Sequence, residues 1–231
     1  MGGIVVGGNV KHLVVTGKPT IDEWELRAKD ETKEKGFGQG RVETLAIFDK
    51  DGNFMQAYEG DRHSVNIDPK ILNAKETEGA SVTHLHPNNA LGGTLSLTDL
   101  KTFAQSNWKE LRATTKQGQL YSIVASENAD REKLAKWVNS KKSILEKNFN
   151  KSYDRALKAA TTPLKSGPHK GMVKLVDGST GKVTYRPPMT PKQAYAYARQ
   201  YSVGMFDRTY SKNLEKIGFK YVATKAGKNL K

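Results

Sequence analysis

The fold is decided by residues 80–99, ASVTHLHPNNALGGTLSLTD. Residues 80–84 are short and β-branched, which suits a strand. Strand side chains alternate, so His84 and His86, two apart, point the same way and both rings can reach one ion. Pro87 cannot donate to a ladder and ends the strand. The Gly-containing loop that follows lets the chain turn back. Ser96 has N-cap character and opens a helix predicted to run to about Trp108. Ser96 and Asp99 are three apart in its first turn and share a face. The chain has no cysteine, so a metal must be held by histidine and carboxylate. His84, His86 and Asp99 supply three zinc ligands, and water takes the fourth position.

Such a site makes water nucleophilic and polarises a carbonyl. It then needs a base that is not itself a ligand. Glu43 suits this role, because it starts the predicted strand ETLAIF, and a carboxylate there can pass a proton to a leaving amine. Glu59 is the rival base, but Gly60-Asp61-Arg62 reads as a turn, which ranks it lower. Ser96 can donate a hydrogen bond to a tetrahedral oxyanion and cap the helix as well. His12, His63 and His169 have no ligand-type neighbours at useful spacing and read as ordinary surface or packed histidines. Trp24, Trp108 and Trp137 lie on predicted helices and read as core anchors.

In order along the chain, Glu43, His84, His86, Pro87, Ser96 and Asp99 resemble the JAB/MPN (JAMM) zinc metalloproteases. Those proteins carry a Glu at a strand start, then His-x-His-Pro, a short loop, and Ser-x-x-Asp at a helix start. The resemblance covers about residues 40–125. It implies an α/β (α+β) fold of the JAB/MPN-like, cytidine deaminase-like kind, a mixed sheet flanked by helices. It also implies a Zn2+ cofactor on His84, His86 and Asp99, with Glu43 and Ser96 catalytic. The activity implied is that of a peptidase or isopeptidase acting on a protein substrate or a ubiquitin-like tag. The phage-associated branch is nearest, from the strand–Asp-Gly–strand segment after Glu43 and Gly-Phe-Lys-Tyr at 218–221. The loop Asn88–Leu95 is longer than the family usually carries. Families of this type include inactive members, so the alternative is a non-catalytic virion, assembly or nucleic-acid-contacting protein on the same fold.

Outward from this core, residues 4–16 read as two short strands broken by Gly-Gly-Asn. Thr20-Ile-Asp-Glu23 is a capping box opening a helix to about Lys35. The glycines at 36, 38 and 40 lack the Lys-Ser/Thr of a phosphate loop. Residues 42–48 and 53–60 form a strand pair around Asp49-Lys-Asp51-Gly52, a turn without the remaining ligands of a calcium loop. Residues 64–67 suit a short strand, Asp68-Pro69 a short helix, and 111–125 a hairpin around Gln117-Gly118. A Lys-rich helix is predicted over about 128–160, then a loop, a hairpin, and two helices within 191–216. The last residues read as a strand and a basic tail. These readings divide the chain into N-terminal strands and helix (1–39), a core (40–126) and a basic helical extension with a hairpin (127–231).

The 231 residues carry 38 Lys+Arg against 24 Asp+Glu, a net charge of +14, with the C-terminal third richest in base. That excess favours polyanions and predicts non-specific contact with nucleic acid. No apolar run approaches the roughly 18 residues that span a bilayer, and the first residues lack a secretory pattern. The expectation is a soluble cytoplasmic protein, in the host cytoplasm or the virion if phage-encoded.

Overall fold

The computed structural model describes residues 3–29, 42–87, 94–115 and 118–225. Two short strands, β1 (Gly3–Val6) and β2 (Lys11–His12), precede helix α1 (Ile21–Lys29). The predicted capping box is present: Thr20 N–H donates to Glu23 Oε2 at 2.8 Å, and Glu23 N–H to Thr20 Oγ1 at 3.3 Å. The predicted continuation to Lys35, with the glycines after it, lies outside the described residues. The pair β3 (Thr44–Phe48) and β4 (Phe54–Glu59) follows. In its turn the Asp49 carboxylate accepts the N–H groups of Asp51 and Asn53 at 2.9 and 2.8 Å.

Next come β5 (Ser64–Ile67), short 3₁₀ turns at 69–72 and 75–77, β6 (Ser81–His86) and α2 (Leu97–Ala104). Strands β7 (Glu110–Thr115) and β8 (Gln119–Ala125) form the second hairpin. Beyond it lie α3 (Arg131–Thr161), β9 (Val173–Val176), β10 (Val183–Arg186), α4 (Pro191–Glu215) and β11 (Phe219–Lys225).

The main sheet runs β11-β8-β7-β6-β3-β4-β2. Only β6 and β7 pair in parallel within it; the other neighbours are antiparallel. Strand β1 pairs in parallel with β5 in a separate two-stranded sheet. The architecture is therefore mixed α+β, as expected. Alternation along β6 sorts chemistry onto two faces. Thr83 points to α1, where its Oγ1 donates to Glu25 Oε1 at 3.0 Å. Arg112, opposite Thr83 on β7, donates to both Glu25 oxygens at 2.6 and 2.9 Å. Burial disfavours the Arg112 charge, but Glu25, Glu110 and Asp22 outweigh it and raise its pKa. Trp24, Ala46, Phe48 and Ala57 pack beside this pair. His84 and His86 point to the opposite face.

Some boundaries differ from the reading of the sequence. Strand β6 runs through His86, so both histidines lie in the ladder, and Pro87 ends it. Helix α2 stops at Ala104, short of Trp108. Beyond the stop the Arg131 guanidinium lies 4.7 Å from the Phe103 ring and donates to the Phe103 and Trp108 carbonyls. Trp108 and Trp24 are buried as expected, and Trp137 is half-buried. Residues 191–215 form one helix rather than two.

The division at 39 and 126 is replaced by another. Met1–Asn139 with Asn213–Lys231 make one compact unit, and Ser140–Lys212 make a second. The N-terminal strands belong to the first unit because β2 pairs with β4 and Ile4 bonds Asp99. The chain end returns there as β11, pairing with β8 along Phe219–Lys225. In the second unit β9 and β10 form an antiparallel hairpin over a core of Ala160, Val173, Leu175 and Ala194. Its turn meets α4 backbone to backbone: a Cβ on Gly178 would lie 2.0 Å from the Tyr201 carbonyl oxygen, and one on Gly204 2.5 Å from the Ser179 nitrogen. Among the described residues no helix is long and apolar enough to cross a membrane.

Candidate metal centre

Two elements bring the candidate ligands together. Strand β6 supplies His84 and His86, and the first turn of α2 supplies Asp99. Among the described residues these are the His, Asp and Glu side chains that converge as a possible metal site, with ligand atoms within 4.8 Å of one another. His84 and Asp99 are fully buried, and His86 is 8% exposed. The two Nε2 atoms are 2.8 Å apart, His84 Nε2 is 3.3 Å from Asp99 Oδ1, and His86 Nε2 is 3.6 Å from Asp99 Oδ2. Ligands about 2.0–2.2 Å from a tetrahedral ion lie roughly 3.3–3.6 Å from each other. Both His–Asp separations fall in that range, and the His–His separation is shorter. The triad can hold a metal ion.

The hydrogen bonds around the triad aim it inward. His84 Nδ1 lies 2.8 Å from the Arg112 carbonyl, which can only accept. Nδ1 therefore carries a ring proton, and Nε2 is the ring nitrogen aimed at the cluster. Asp99 takes the N–H of Ile4 on Oδ1 at 2.8 Å and the N–H of Ser96 on Oδ2 at 2.7 Å. Burial works against the Asp99 charge, but His84 and His86 beside it outweigh burial and hold its carboxyl well below the usual range. Thr102, one turn on, donates to the Ile4 carbonyl at 2.9 Å, so α2 grips both sides of the Ile4 residue. Gly3 lies against the cluster: a Cβ there would sit 2.5 Å from Ser96 Oγ and 2.6 Å from Asp99 Oδ1.

Ser96 is the N-cap of α2 and forms a capping box with Asp99; its Oγ accepts the Asp99 N–H at 3.1 Å. The hydroxyl keeps its own proton to donate. Glu43 directly precedes β3 and is 3% exposed, and among the described residues its Oε2 has no hydrogen-bond partner. Burial, then the charges of Asp99 and Asp61, push its carboxyl up to about 10. Its backbone is fixed by the β4–β5 turn: Glu43 N–H donates to Asp61 O at 2.6 Å, and Gly60 N–H to Glu43 O at 2.8 Å. Gly60 is required there, since a Cβ would fall 2.0 Å from the Ser64 oxygen. Asp61 forms the predicted turn by accepting the N–H groups of His63 and Ser64.

The other histidines stay apart from the cluster. His12 tilts against Tyr58 with centroids 4.9 Å apart, and His169 stacks on Tyr185 at 3.7 Å. His63 acts through its main chain: its N–H donates to Asp61, and its carbonyl accepts the Gly3 N–H at 2.8 Å. Glu59 sits at the end of β4, paired in register with Thr44 and Lys11. The reading of the sequence missed Gly3, Ile4, Thr102 and the Arg112 carbonyl. Three of these four act through the main chain, and Ile4 is 95 residues from Asp99. Most of the loop Asn88–Leu95 lies outside the described residues; at its end Thr94 Oγ1 hydrogen-bonds the Tyr221 hydroxyl of β11. No family model, curated protein or solved structure matches this chain.

Proposed function

We propose that this chain is a zinc-dependent peptidase or isopeptidase of the JAB/MPN type, acting on a protein substrate or a ubiquitin-like tag. One observation carries the reading: the buried Glu43 carboxyl, whose Oε2 has no hydrogen-bond partner among the described residues, feels the charge of Asp99 in a converged His-His-Asp set. A buried polar atom left unpaired costs free energy, on the order of 1–3 kcal/mol, so it marks a role outside the fold's own bonding. The placement supports the family reading as well. Glu43 stands immediately before a strand, both histidines on one strand face, and Ser96 with Asp99 on one helical turn.

The donor set is two imidazoles and one carboxylate without thiolate. That suits zinc in a catalytic site with an open position, and it is too nitrogen-rich for magnesium or calcium. Bound there by His84, His86 and Asp99, zinc supplies Lewis acidity to a carbonyl and makes water nucleophilic near neutral pH. The protein's groups do the rest. In its ionised form the Glu43 carboxylate can take a proton from water at Oε2 and give it to a leaving amine. The Ser96 hydroxyl donates to the developing oxyanion. The Arg112 carbonyl keeps His84 in the tautomer that ligates.

Metal content tests the reading. Protein dialysed against zinc is expected to hold about one equivalent per chain, and His86→Ala and Asp99→Ala to hold none. A metal-free parent would overturn it. Glu43→Gln is expected to retain zinc and lose turnover by about 100-fold or more on linear and isopeptide-linked ubiquitin-like fusions. Undiminished turnover in that variant removes Glu43 from the chemistry.

A further inference from the structure

The second unit, Ser140–Lys212, carries 15 Lys+Arg and 4 Asp+Glu in its 73 residues, a net +11 of the chain's +14. It also holds six of the nine tyrosines. A pocket of about 500 Å³ opens between its β9–β10 hairpin and α4. That volume accommodates a nucleotide-sized group. One wall is β10, whose four residues are all exposed. Lys182, Thr184 and Arg186 alternate onto the pocket face of this strand, and Tyr197, Gln200 and Tyr201 line it from α4.

The charge in this pocket is of one sign in effect. Its carboxylate, Asp177, is spent on the hairpin turn, accepting from Ser179 N–H at 2.9 Å, Ser179 Oγ at 2.6 Å and Thr180 N–H at 2.8 Å. Among the described residues no carboxylate pairs with Lys182 or Arg186. Strand rise places these two cations, four residues apart, about 13 Å from each other. They therefore suit two separate anionic groups along a chain rather than one phosphate. The α4 wall is rigid, because the Tyr197 hydroxyl donates to the Val176 carbonyl at 2.9 Å and accepts the Val176 N–H at 2.8 Å. Tyr197 and Tyr201, with centroids 6.2 Å apart, give the pocket an aromatic side, and Gln200 adds an amide that can bond a base edge.

We propose that this pocket binds single-stranded nucleic acid, with Lys182 and Arg186 on two separate backbone phosphates and a base against Tyr201. Cations spaced along a strand, beside an aromatic face, are what sequence-tolerant single-strand binding uses. An acidic polypeptide satisfies the cations alone and leaves the aromatic wall and the amide unused. The proposal is independent of the metal centre.

Fluorescence anisotropy of the full chain with a labelled 15-mer of oligo(dT), titrated across salt, tests it. The expected result is salt-sensitive binding that Lys182→Ala/Arg186→Ala weakens at least 10-fold. The log–log salt slope should shrink by about 1.4, as for two lost single-strand phosphate contacts. Lys50→Ala/Lys75→Ala, which removes two exposed charges from the first unit, is expected to bind like the parent. Tyr201→Leu is expected to weaken the oligonucleotide several-fold and leave any binding of polyglutamate unchanged. Parent-like affinity of the Lys182/Arg186 variant overturns the site. Displacement by polyglutamate as effective as by unlabelled oligonucleotide reduces it to charge alone, and tighter binding of a duplex of equal length overturns the single-strand assignment.

Discussion

The two units of this chain handle charge in opposite ways. The first is nearly balanced, with 23 Lys+Arg against 20 Asp+Glu, yet buries Glu25, Glu43, His84, His86, Asp99 and Arg112. The second is strongly basic, yet Ser202 is its buried polar residue among those described, and no charged residue there is buried. Burying a charge is costly unless it is paired, so a unit that does so has fixed its polar groups to a particular geometry. Exposed charge is cheap one residue at a time and acts collectively, through the field. The first arrangement suits chemistry at a point, and the second suits capture over a surface.

The sharpest way to break this contrast is to delete a buried charge. Asp99→Ala leaves the Ile4 and Ser96 N–H groups without their acceptor and removes the capping box. Chemical denaturation is expected to show a loss of about 3–5 kcal/mol. A loss near zero would mean that the buried set is not structurally committed.

Next in size is a pH effect on metal-free protein. Folding raises the Glu43 carboxyl from 4.5 to about 10. The folded state favours the protonated form, so the stabilisation is complete below about pH 4.5 and is lost as pH rises toward 10. Between these limits the chelator-treated parent is expected to lose stability on the order of a few kcal/mol, and Glu43→Gln to lack that slope. Equal slopes in thermal melts of the two proteins would discard Glu43 as the source.

A third prediction lies in the second unit. In an open helix Gly204→Ala would stabilise by about 1 kcal/mol. Here the new Cβ would meet the Ser179 backbone nitrogen at 2.5 Å, and backbone cannot swing away as a side chain tip can. The expected outcome is net destabilisation of about 1–2 kcal/mol. A gain in melting temperature would show that the hairpin turn yields. Smallest is the effect of single exposed lysines there: Lys158→Ala or Lys192→Ala is expected to shift stability by no more than about 0.5 kcal/mol.

Much of the first unit was legible in the sequence because it rests on local rules. Thr20 and Glu23 announce a helix start, Asp49 a turn, and Pro87 the end of β6. The His84–His86 spacing and the Ser96–Asp99 spacing each fix a shared face from one element alone. What escaped is what depends on distant segments. Nothing near Phe219 says that it will pair with Ala125, and nothing near Gly3 says that it will lie on Ser96. Residues 191–216 read as two helices, but one helix runs through Gly204, whose missing side chain makes room for the hairpin turn. The units divide elsewhere than at 126 because α3 begins among first-unit contacts through Arg131 and the second unit starts inside that continuous helix.

The bond from His84 Nδ1 to the Arg112 carbonyl has a consequence for inheritance. A carbonyl cannot be mutated away, and neither can the amide hydrogens of Ile4 and Ser96 that hold Asp99, short of proline. The supports of this triad are written in the main chain, so the hydrogen bonds that aim it do not themselves require a particular side chain at 4 or 112. Selection acting on this triad sees three letters and a fold. The text between them is free to drift wherever it still builds the same ladder.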